Sequence, residues 1–62
     1  MENLEFYKKY MVRDLMNDGK LITIELTPTT SFDDAVIVVD YYFCETYYLH
    51  MDELVQIFEF ID

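Results

Sequence analysis

One glycine, one proline, one cysteine and no tryptophan stand among the 62 residues of this chain, and each scarcity closes off a class of protein. A single glycine cannot build a phosphate-cradling loop, which needs several residues without Cβ where the backbone approaches the phosphates. So little Gly and Pro beside 53% hydrophobic side chains excludes a disordered tail or linker. The lone Cys44 permits neither an intramolecular disulfide nor a thiolate metal cage, and it fits a reducing compartment. No apolar run approaches the ~18 residues of a membrane span. The start, Met1-Glu2-Asn3-Leu4-Glu5, lacks the basic residues and apolar stretch of a secretory signal, so a cytoplasmic protein is expected.

Positive charge is also scarce. Four Lys/Arg against 13 Asp/Glu leave a net charge of −9, which argues against direct binding to nucleic acid or to an anionic membrane. Lys8, Lys9, Arg13 and Lys20 all fall in the first twenty positions, where Glu2, Glu5, Asp14 and Asp18 balance them. From Leu21 onward come Glu25, Asp33, Asp34, Asp40, Glu45, Asp52, Glu53, Glu59 and Asp62, with no Lys or Arg. These acids alternate with apolar residues, which describes a folded acidic surface and not an acidic tail.

What is present divides into five stretches. Between Asn3 and Asp18, a turn of about 100° per residue gathers Leu4, Tyr7, Tyr10, Met11 and Leu15 into one stripe opposite Glu2, Glu5, Lys9, Arg13 and Asn17. This predicts an amphipathic helix capped by Asn3 and stopped at Gly19; the alternative is a hairpin turning at Asp18-Gly19. Residues 21–26 alternate, with Ile22, Ile24 and Leu26 on one face, and predict a strand ended by Pro28. Ser31 and Asp34 have capping-box spacing and could open a single helical turn. The run Val36-Ile37-Val38-Val39 demands a buried strand.

The apolar segment from Ala35 to Met51 is too long to lie straight in a domain this small. A hairpin with arms 36–43 and 47–51 and a turn at Cys44-Glu45-Thr46 is expected, with Asp40-Tyr41 as the alternative turn. Last, Asp52 caps a C-terminal helix whose apolar side is Leu54, Val55, Ile57, Phe58 and Ile61. The predicted fold is α+β: one domain over residues 1–62, a three-stranded antiparallel sheet with a helix at each end, or four strands if the first segment is a hairpin.

Catalytic chemistry has little to work with. Ser31, Cys44 and His50 show no triad spacing and no Gly-rich elbow, so Cys44 and His50 read as structural residues and no enzyme is expected. Asp33-Asp34 and Asp52-Glu53 lack the spacing of a calcium loop and read as helix-capping acids, so neither metal nor cofactor is implied. Tyr41, Tyr42, Phe43, Tyr47 and Tyr48 crowd into eight residues, and strand alternation must turn some of them outward. Exposed tyrosines favour recognition, because they offer contact area at low entropic cost.

Two functions follow. In the first, Glu25, Asp33, Asp34, Asp40 and Glu45, with Tyr42 and Tyr48, form a face that imitates nucleic-acid phosphates and occupies the basic groove of a nucleic-acid-binding protein. In the second, the acidity serves solubility and the chain is a structural or regulatory oligomerisation module. A chain of this length buries only about 60% of its unfolded surface, so a homodimer is expected in either case. In size, charge and lack of catalytic groups the chain resembles small inhibitors encoded by bacteriophages and mobile elements, such as anti-CRISPR proteins and inhibitors of uracil-DNA glycosylase. Gly19-Lys20 followed by Leu21-Ile22-Thr23-Ile24-Glu25 is loosely similar to the start of one such glycosylase inhibitor, over less than half the chain. The resemblance implies inhibition by occupancy of a partner.

Overall fold

The computed structural model describes residues 4–30 and 34–61, and they form a five-stranded antiparallel sheet crossed by one short helix. The elements run β1 (Lys9–Asp14), a 3-10 turn (Leu15–Asn17), β2 (Lys20–Pro28), β3 (Ala35–Asp40), β4 (Glu45–His50), α1 (Met51–Ile57) and β5 (Phe58–Phe60). In space the strands are ordered β4-β3-β2-β1-β5. The first four form a meander, and α1 carries the chain from the β4 edge to the opposite edge, where β5 pairs with β1. No helix among the described residues is long and apolar enough to cross a membrane.

The expected three-stranded sheet with a helix at each end is therefore corrected at both ends. The first segment carries two periodicities. Its 100° stripe suits a helix, but Tyr10, Val12 and Asp14 also alternate with Lys9, Met11 and Arg13, and alternation wins. As a strand, Val12 pairs with Ile22 on one side and Phe60 on the other and is fully buried. A strand between two neighbours satisfies its backbone on both edges, which a one-stripe surface helix cannot do for β2 and β5. The hairpin between β1 and β2 is thus the alternative that forms.

At the other end the helix starts one residue before Asp52, with His50 as its cap residue, and stops at Ile57. The His50 N–H donates to Glu53 Oε1 at 2.7 Å. Phe58, expected on the helix, is extended at φ −122°, ψ 131°. In β5, Phe58 and Phe60 face inward and Glu59 lies opposite Arg13. The seven residues of α1 span about 10 Å, and Leu54 is the one it buries in the core. The expected turn near Ser31 falls partly on residues 31–33, outside the described residues.

The inner face holds the core: Val12, Ile22, Ile24, Leu26, Val36 and Val38 from the sheet, covered by Leu54 of α1 and Phe58 of β5. Although β4 and β5 are at opposite ends of the strand order, the Tyr47 and Phe58 rings stack with centroids 6.4 Å apart. The sheet is therefore rolled around its core, and the right-handed twist of its strands provides the curl.

The β1–β2 connection needs two successive left-handed residues, Asp18 at φ 58° and Gly19 at φ 71°. A Cβ at Gly19 would meet no atom within 4 Å, so the glycine is required by its backbone and not by space. Gly19→Ala is expected to lower unfolding stability by about 1 kcal/mol, and Gly19→Asn by less, since Asn tolerates this region. Urea denaturation of the three proteins measures both.

Candidate functional site

The outer face of the sheet is open, and the turn between β3 and β4 furnishes its rim. That turn, residues 41–44, contains no glycine. Asp40 replaces it: the side chain is 1% exposed, and its Oδ1 accepts the N–H groups of Tyr42 and Phe43, both at 2.9 Å. Cys44 closes the turn at φ 58°. The arms meet at Asp40 and Glu45, so the turn is not at Cys44-Glu45-Thr46 but next to the Asp40-Tyr41 alternative.

From this turn Tyr41 folds back over β2. Its N–H donates to the Thr23 carbonyl at 3.0 Å and its hydroxyl to Glu25 Oε1 at 2.7 Å. Accepting that bond and carrying negative charge, Glu25 raises the Tyr41 pKa, helped by partial desolvation. The Lys9 ammonium sits 4.7 Å from the centre of the Tyr41 ring, and the Lys20 ammonium 4.6 Å from that of Tyr42. Ring faces attract cations in this geometry. Between the two tyrosines and the strands lies a shallow groove of about 230 Å³ lined by Met11, Leu21, Ile22, Thr23, Tyr41 and Tyr42. Met11, Leu21, Tyr41 and Tyr42 are each about half exposed.

The face expected from the sequence is not assembled as one surface. Glu25 is half-buried on the outer face of β2 and engaged by Tyr41. Tyr42 rims the groove, and Tyr48 stands outward on β4, each 53% exposed. Glu45 is exposed but belongs to the inner side of β4, where it lines a cleft with Asp14, Tyr47 and Ile57. Asp34 lies at the other end of the sheet, with its carbonyl accepting the Met51 N–H at 2.7 Å. Asp33 lies outside the described residues. Asp40 is corrected outright: buried and bonded to its own turn, it has no surface to offer in place of a phosphate. The residues missed are Lys9, Lys20, Met11 and Tyr41. The signal for Lys9 and Met11 was the alternation along 9–14, which the helical stripe obscured.

Asp34, Asp52 and Glu53 gather with His50 and Met51 around a second cleft of about 510 Å³ at the head of α1. Among the described residues no three His, Cys, Asp or Glu side chains are arranged to hold a metal ion. Cys44 and His50 lie at opposite ends of β4, about 20 Å apart at ~3.3 Å per residue, so they cannot act on one substrate atom. Compared with family models, curated proteins and solved structures, the chain matches none of them.

Two tests follow from the buried polar groups. Asp40→Ala leaves the Tyr42 and Phe43 N–H groups without an acceptor and is expected to cost about 2 kcal/mol in urea denaturation. The Tyr47 hydroxyl is partly desolvated and faces the carboxylates of Asp40, Asp14 and Glu45, and these causes, burial first, push its pKa up. Ionisation is therefore harder in the folded protein than in the unfolded chain. Stability from neutral Tyr47 is complete below the ordinary pKa of 10.0 and is lost as pH rises beyond it. Thermal melts at rising alkaline pH should show a falling Tm, and Tyr47→Phe should flatten that fall.

Proposed function

We propose that the protein is a small non-enzymatic binding protein whose acidic surface occupies the basic, nucleic-acid-binding groove of another protein. The observation that supports this reading is the separation of charge in three dimensions. The ammonium groups of Lys8, Lys9 and Lys20 are held over the rings of Tyr10, Tyr41 and Tyr42, so these bases are kept beside the β1–β2 hairpin and the groove. Arg13 lies on the same hairpin, opposite Glu59 in the backbone register of β1 and β5. The β3, β4 and α1 side carries Asp34, Glu45, Asp52 and Glu53 with no Lys or Arg among its residues. An undiluted negative field of this kind attracts a basic groove over distances of a Debye length, ~10 Å at 0.1 M salt, and competes with the polyanion that groove is built for.

The acids proposed to face the partner are Asp34, Asp52 and Glu53 at the head of α1. Asp40 has no part. The exposed, solitary Cys44 accords with action in the reducing cytoplasm.

The test begins with a partner recovered from lysate on the immobilised protein. Its affinity should fall steeply between about 50 and 500 mM salt, and duplex DNA or RNA should displace the protein. Replacing Asp34 and Asp52 together by Asn should cost about 1–3 kcal/mol of binding per lost contact, while Glu5→Gln on the other side should cost almost nothing. Salt-indifferent binding, or a ternary complex with nucleic acid, would leave the acidity as a solubility device.

A further inference from the structure

The two edges of the sheet are finished differently. At one edge β5 is three residues long, a common way of leaving an edge too short to pair. At the other, β4 runs for six residues, Glu45-Thr46-Tyr47-Tyr48-Leu49-His50, with no Lys, Pro or bulge, and no described element pairs with its far side.

The backbone directions of β4 follow from two hydrogen bonds. Tyr41 N–H donates to the Thr23 carbonyl beside the Ile24 and Asp40 pair, so the odd-numbered residues of β3 bond to β2 and the even-numbered ones to β4. Asp40, Val38 and Val36 are opposite Glu45, Tyr47 and Leu49, whose N–H and C=O groups therefore point toward β3. The Met51 N–H donating to Asp34 keeps the same parity. The groups of Thr46, Tyr48 and His50 point to the open edge. The His50 N–H is taken by Glu53 and its carbonyl, as that of the cap residue of α1, accepts the first bond of the helix, which leaves two donors and two acceptors, those of Thr46 and Tyr48.

We propose that two copies of the chain join through this edge, β4 antiparallel to β4 about a two-fold axis at Tyr47, into one continuous ten-stranded sheet. An antiparallel pair related by an axis normal to the sheet keeps inner face with inner face, so odd residues meet odd and even meet even. With the axis at Tyr47, Thr46 of each copy lies opposite Tyr48 of the other. All four free groups on each edge are then used, in four hydrogen bonds. Glu45 falls opposite Leu49 of the second copy and not opposite its own image, so no two like charges stand directly opposite in the paired strands although each chain carries −9. The two Tyr47 side chains meet on the inner face and Tyr48 packs over Thr46 on the outer, both favoured cross-strand contacts. A second copy is the occupant because the edge complements itself in hydrogen bonding and in face, with no charge directly opposite its own image.

Sedimentation equilibrium and amide exchange test this without reference to the partner protein. The chain should approach twice its 7.5 kDa mass as concentration rises. The dimer should strengthen from about 50 to 500 mM salt, since salt screens repulsion between two acidic copies; this is opposite to the salt dependence of partner binding. The amides of Thr46 and Tyr48 should become protected about tenfold or more in step with dimerisation. Thr46→Pro removes only an outward donor, and should sediment as a monomer with an unchanged circular dichroism spectrum. Should that variant fail to fold, Tyr48→Lys, a natural way of blocking an edge, decides instead. Met11→Lys, in the outer groove, should leave the dimer intact. A wild-type chain that stays monomeric, a dimer in which those two amides exchange freely, or a dimer dissociated by Met11→Lys would overturn the proposal.

Discussion

Two buried carboxylates determine how this sheet is connected, and much else depends on them. Asp14 and Asp40 are 2% and 1% exposed, and both are spent on turns. Asp14 accepts the Met16 N–H and the Asn17 side-chain amide, and so turns β1 into the 3-10 segment that leads to β2. Asp40 does the corresponding work between β3 and β4. A chain with one glycine cannot build two tight connections from backbone freedom alone, so side-chain oxygens supply the missing acceptors. Their placement sets the pairing of Asp14 with Lys20 and of Asp40 with Glu45, and a one-residue slip in either would turn every core residue of a strand outward.

The same carboxylates tie the two edges of the rolled sheet into one environment. Asp14 comes from β1, Asp40 from β3 and Glu45 from β4, yet all three act on the hydroxyl of Tyr47. Its ring in turn stacks on Phe58 of β5. Closure of the inner face therefore combines apolar contact with a polar margin at the Tyr47 hydroxyl. On the outer face no second layer covers the strands, and Met11, Leu21, Tyr41, Tyr42 and Tyr48 remain about half exposed. This follows from size: seven helical residues cover one side of a five-stranded sheet, and nothing in the described chain is left for the other.

Charge is distributed by the same geometry. Because β1 is a strand and not a helix, Lys9 and Arg13 share the outer face with Met11, and Lys9 comes within reach of Tyr41, thirty-two positions away in sequence. The bases are thereby drawn to the aromatic groove, and the acids of β3, β4 and α1 are left without counter-ions from their own elements. An open acidic surface and an unpaired strand edge thus coexist on one small scaffold, the first proposed to meet a basic partner and the second a copy of the chain itself.

Some of this was legible in the residues. The alternation of Ile22, Ile24 and Leu26, the β-branched run before Asp40 and the confinement of all bases to the first twenty positions are local patterns, and a strand or a charge asymmetry can be read from them without knowing what lies alongside. The segment 9–14 was different, because it satisfies the helical and the strand period together. What chose between them was the presence of β2 and β5 on its two sides, and β5 is too short, at three residues, to announce itself. Whether a carboxylate such as Asp40 faces a partner or its own turn, and whether Lys9 meets water or Tyr41, likewise depend on contacts between distant positions. Those are decided only when the sheet is paired and rolled, since periodicity describes one segment's faces and carries nothing about which neighbour will cover them.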